Sequence, residues 1–311
     1  MRKRRLLIYL APAIMDMVVA QFFFVDVVRL AHMQSSAVVV AGVVTVWGLM
    51  YLISCLLVGK VLTVANSPRL ILMSCFAMAG LSVLHLLFPS MAGIYVLMAC
   101  AGVATALFFP AFQVFMKAVD AAQASSVAYS TGMYTFAWSM GFAVGPFVAG
   151  FLLECGTTGE GGGETGGWKL AFLFSAMLSL MTAGLIAFLK HLREHPAAAP
   201  ADAVAATTTE GQQVINYARM PDLVWLGWLG GGVGVLVLSV IRAVFPARAV
   251  AVLELSASVQ GMLFFLLSLT QALVGLASCR SRWWMYRAGP VVLAGLAGIV
   301  GTLCLGSAVP N

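Results

Sequence analysis

Nine stretches of apolar residues run through this chain, each close to the length of about 20 residues that a helix needs to cross the hydrocarbon core of a bilayer. Their limits are Leu6 to Val28, Ala37 to Leu57, Leu70 to Phe88, Met91 to Met116, Val127 to Leu153, Leu170 to Leu189, Leu223 to Val244, Ser258 to Ala277 and Val291 to Leu305. Only 9% of the 311 residues are charged and 62% are hydrophobic, whereas a soluble domain carries about a quarter charged residues. Folding that much apolar surface inward would leave too little to face water. The balance excludes an ordinary soluble enzyme, a disordered chain and a nucleic-acid binder. The expected fold class is an all-α polytopic membrane protein with about nine transmembrane helices, its bulk solvent the lipid bilayer.

The first span follows Met1, Arg2, Lys3, Arg4 and Arg5. That start resembles a signal peptide, but the apolar run is too long and lacks a small-residue cleavage site, so it reads as a retained helix. With the N-terminus in the cytoplasm and the spans alternating, thirteen of the 17 Lys and Arg residues fall on the inner side. Arg29, Lys169, Arg242 and Arg248 fall at outer ends. Topology therefore explains the net charge of +6, and the expected location is the cytoplasmic (inner) membrane. The six cysteines are scattered singly, without metal-ligand or disulfide-scaffold spacing.

Lys190 to Pro221 is the one long hydrophilic interval, with Pro196, Pro200 and Gly211, and reads as a cytoplasmic linker. The pattern before it recurs after it. A shift of roughly 221 residues superposes Ser35 on Ser256 and the basic turn at Gly59 on Arg280, the weak symmetry of a repeat-built transporter. The domains are thus 1–189, a six-helix bundle; 190–221, the linker; and 222–311, three helices of a second bundle.

The fifth span carries the most specific motif. Gly132, Gly141, Gly145, Pro146 and Gly150 stand as G-x8-G-x3-G-P-x2-A-G, which is similar to the antiporter motif of drug exporters in the major facilitator superfamily, with Ala149 replacing one Gly. Glycines at these intervals let a neighbouring helix approach closely, and Pro146 bends the helix. The chain resembles that superfamily in plan as well: six spans, a cytoplasmic linker, and a second set starting over. Gly102 to Pro110 with Gln113, and Trp168 to Phe172, resemble it more weakly. In the loop after the second span only Gly59 stands in register with the family pattern, with Arg69 nearby; Thr63, Val64, Asn66 and Ser67 replace its charged and glycine positions. Met98 stands where the family's fourth span carries Arg. The resemblance implies twelve spans, so the chain is expected to be C-terminally incomplete.

An ionisable group at the bilayer centre costs about 3 kcal/mol on insertion scales, so each one needs a reason. Asp16, near the middle of the first span, is the candidate for proton or cation coupling. Gln21, Gln113, Tyr134 and Gln271 are candidates for hydrogen bonds to a substrate. Asp26, three residues before Arg29, reads as an ion pair at the outer interface, and His85 as a solitary packing histidine in the third span. The glycines of 227–234 read as a close-packing or bending segment, and 156–167 as a flexible outer loop. His191, Glu194 and His195 spell the H-x-x-E-H of a metalloprotease, but Pro196 follows at once and no third ligand is in reach, so they read as a basic helix end. No metal, cofactor or catalytic residue is expected.

These readings converge on a secondary active transporter working by alternating access. The resemblance to the antiporter motif implies proton-coupled efflux of a small amphipathic or hydrophobic compound, by a protein acting as a monomer if complete. The alternatives are a proton-coupled importer of a small solute and a truncated, transport-inactive membrane protein with a binding or regulatory role.

Overall fold

The computed structural model describes residues 2–121, 127–155, 166–194, 241–242, 245–246, 248–250, 252–280 and 288–307. Eight long helices order these residues: α1 (Arg2–His32), α2 (Ala37–Val61), α3 (Ser67–Leu87), α4 (Met91–Ala121), α5 (Val127–Cys155), α6 (Gly166–Glu194), α7 (Ala257–Arg280) and α8 (Ala288–Ser307). No strand occurs among the described residues. Seven of the helices, α1 to α7, are long and apolar enough to cross a membrane; the chain is a polytopic helical membrane protein. Each expected span in the described residues coincides with a helix, and most helices run a few residues past the apolar limits. α8 lies where the ninth span is expected. The seventh span, apart from Ile241 and Arg242, the outer loop at 156–165, the glycines of 227–234, and the linker beyond Glu194 lie outside the described residues.

α1 is the most deeply buried of the seven and α2 the least. Leu49, Leu52, Leu56 and Leu57 of α2 are exposed, while Met15, Phe22 and Leu30 of α1 are fully buried. Exposed leucines are stable where the surrounding solvent is hydrocarbon, so the bundle turns α2 outward to lipid and keeps α1, with Asp16, Gln21, Asp26 and Arg29, inside. α5 packs extensively against both α1 and α7, making it the element between the two parts of the sequence.

One local motif recurs on the two sides of the linker. Gln34 and Glu254, 220 positions apart, both adopt left-handed conformations, with φ of 55° and 50°. Two residues after each stands a serine that starts a helix: Ser36 Oγ accepts from Val39 N at 3.4 Å, and Ser256 Oγ from Val259 N at 3.5 Å. The main-chain bonds Val40 N to Ser36 O and Gln260 N to Ser256 O repeat the match. The structural register is therefore 220, one residue from the offset that superposed Ser35 on Ser256, because the capping serine is Ser36.

Candidate functional site

Asp16 lies in the buried interior on α1. Its Oδ2 has no hydrogen-bond partner. Arg242, from the far side of the linker, lies within electrostatic reach of it. The Arg242 guanidinium stands 3.8 Å above the centroid of Phe142 on α5 and donates through Nη2 to Ser268 Oγ on α7 at 3.3 Å. A ring and a hydroxyl thus hold the cation between α5 and α7. Arg242 is half-buried.

Aromatic side chains wall this region. Phe23 packs edge-on to Trp47 at 4.8 Å, and Trp47 stacks on Tyr51 one turn later at 5.0 Å. Phe142 lies 6.2 Å from both Phe23 and Trp138. Tyr51 and Tyr134 both lie within electrostatic reach of Asp16. Tyr134 is also hydrogen-bonded to Gln113. A cavity of ≈ 350 Å³ between α4 and α5 is lined by Gln113, Met116, Lys117, Tyr134 and Thr135, within the usual range of about 300–1,000 Å³ for small-molecule sites.

Of the five polar candidates, the structure brings Asp16, Gln113 and Tyr134 into one region. Gln21 is buried on α1 and accepts from Ser175 Oγ of α6 at 2.5 Å, with its Nε2 left unpaired. Gln271 is exposed on α7. A buried glutamine that the sequence did not single out, Gln260, lies on the same helix, donates to Leu255 O at 2.9 Å and leaves Oε1 unpaired.

The glycines of α5 explain how Asp16 is held. A Cβ at Gly141 would run into the carbonyl oxygen of Ala13, and one at Gly145 would stand 2.7 Å from that of Met17. Both carbonyls belong to the turn of α1 that carries Asp16. Further along, a Cβ at Gly150 would meet the Ala257 carbonyl of α7, and one at Gly261 would meet that of Pro146. Gly132 is buried. One helix therefore seats the Asp16 turn on one side and the second part of the chain on the other. The loop remnant is different: Gly59 has open space around it and Arg69 is exposed. Asn66 holds that turn, accepting from Thr63 N at 2.8 Å and donating to Val61 O at 2.7 Å.

A second polar cluster corrects the reading of His85 as solitary. His85 Nε2 lies 3.1 Å from Asp26 Oδ2, and Arg29 Nη1 lies 3.5 Å from Asp26 Oδ1. All three residues are buried within the protein, and the expected Asp26–Arg29 ion pair is present. Arg29 also donates to Pro89 O at 3.1 Å and lies 4.0 Å above the Trp168 ring. The signal available in the sequence was depth: Asp26 and His85 both fall toward the outer ends of their spans. It was missed because the adjacent Arg29 already supplied Asp26 with a partner.

No family model matches the chain, and no curated protein matches it.

Proposed function

We propose that the chain is a secondary active transporter of the major facilitator type, working by alternating access and exporting a small amphipathic or hydrophobic compound in exchange for protons. The observation that carries this reading is the Asp16 and Arg242 pair. A buried carboxyl with an unpaired oxygen lies within electrostatic reach of a cation from beyond the linker and of Tyr134, which lines the cavity.

A proton on Asp16 cancels the attraction that draws the two parts together, and its loss restores it. That is the differential interaction a two-state device needs. Aromatic walls suit an amphipathic solute better than a sugar or phosphate, which would demand more hydrogen-bonding groups or fixed cations. The 220-residue backbone repeat supports a repeat-built transporter, and the α5 glycines give the two parts a close, side-chain-free surface on which to slide. In this account the membrane is the cytoplasmic one, the N-terminus faces the cytoplasm, and nine spans fall in this chain.

The test is reconstitution into liposomes bearing an imposed pH gradient, with a cationic, a neutral and an anionic fluorescent amphipath: ethidium, Nile red and ANS. Gradient-driven movement of at least one dye above protein-free liposomes supports a transporter, and its direction separates export from import. Signals equal to protein-free liposomes for all three would favour the transport-inactive alternative.

A further inference from the structure

We propose that Asp26 and His85 form a proton-binding site, distinct from Asp16, in which one exchangeable proton sits between His85 Nε2 and Asp26 Oδ2. Ten residues separate the two aspartates on α1, about 15 Å along a helix at 1.5 Å per residue.

The argument starts at the other ring nitrogen. His85 Nδ1 is 2.8 Å from the carbonyl oxygen of Leu81, one turn back on α3. A carbonyl only accepts, so Nδ1 carries a proton. If the ring were neutral, Nε2 would then present a lone pair to a carboxylate oxygen 3.1 Å away, and two acceptors at that distance repel. A proton between them turns repulsion into a charge-assisted hydrogen bond. Arg29 lies 3.5 Å from the other carboxylate oxygen.

The surroundings suit a cationic ring. Phe172 of α6 stacks on His85 at 4.3 Å with planes 20° apart, and Phe22 of α1 meets it edge-on at 4.9 Å. The charged groups facing the pair are Asp26 and Arg29 of α1. α6 contributes Trp168 beneath Arg29, with Lys169 5.6 Å from the same ring. The segment leading into α4 contributes the Pro89 carbonyl, while Tyr95 of α4 points instead to Val39 O of α2. With the proton the trio carries one net positive charge, and without it none. Binding takes a proton from bulk water and ties α3 to α1; release leaves two lone pairs in opposition and loosens that tie. The inference does not depend on solute transport.

The test uses the full chain in lipid bilayers with isotope-labelled histidine, read by solid-state NMR of the ring nitrogens. Replacing His32, His191 and His195 by Gln leaves His85 the sole histidine of the four in the chain. The expected result is a ring that keeps Nδ1–H throughout and loses only the Nε2 proton as the pH is raised. In Asp26→Asn the ring carries Nδ1–H alone at pH values where the parent carries both protons. A ring carrying Nε2–H with a bare Nδ1 at any pH would overturn the proposal. So would a doubly protonated ring that never titrates while the protein stays folded, or Nε2 protonation unchanged by Asp26→Asn. The titration needs no change at Asp26, so it decides even where that variant fails to fold.

Discussion

Gly141 of α5 lies against the carbonyl oxygen of Ala13 on α1, so close that a single added methyl would overlap it. The obstruction is backbone, which cannot swing away as a side-chain tip can. Gly141→Ala is therefore expected to lose about 1–3 kcal/mol of stability, the usual cost of overpacking a filled interior. Gly59→Ala, where no atom lies within 4 Å of the added carbon, should leave the melting midpoint unchanged. Thermal melts of the two variants in one detergent check the contrast, and equal midpoints would mean that α1 and α5 are not packed as described.

Asp16 and Arg242 lie within electrostatic reach of each other across the linker. Where two charges attract, removing one leaves the other uncompensated, whereas removing both costs less than the sum of the two losses. Asp16→Asn and Arg242→Gln should each destabilise the protein, and the double variant should be more stable than the sum of the two losses predicts. A double-mutant cycle on denaturation midpoints measures this coupling. Strict additivity would show that the pair does not interact.

The bond from Ser175 Oγ to Gln21 Oε1 links α6 to α1 inside the bundle. Ser175→Ala strands a buried acceptor, a loss of about 1–3 kcal/mol. Gln21→Leu should be milder than Ser175→Ala, since it also removes the unpaired Nε2. The order of the two melting midpoints is the check.

Much of the fold was legible because lipid imposes one rule, a helix of sufficient apolar length, and that rule is local. Helix α2 was expected from Ala37 to Leu57 and ends at Val61. Asp16 stood out for the same reason, as an ionisable group in an apolar run. What the sequence withheld was lateral contact. His85 and Asp26 are 59 positions apart, and nothing in either span's hydropathy says that α3 and α1 meet there. The contacts of Arg242 with Phe142 and Ser268 were equally hidden, because periodicity does not reveal which neighbours a helix meets. The α5 glycines announced close packing, but only the folded chain identifies α1 and α7 as the partners.

Glu154, near the end of α5, accepts from Ser258 N at 3.0 Å in the first turn of α7. The carboxylate satisfies a free amide and complements the positive end of the helix. Glu154→Ala should cost about 0.5–2 kcal/mol, the range measured for helix N-caps. Amide exchange should quicken at the first turn of α7 and stay unchanged in α3.

The claim on which the account turns is that Asp16 carries the coupling proton. Proteoliposomes of the wild type and of Asp16→Asn, given the same dye and the same imposed pH gradient, test it most directly. Gradient-driven accumulation is expected in the wild type and absent from Asp16→Asn, while downhill dye flux persists in both. Equal gradient-driven accumulation by the two proteins would contradict the account.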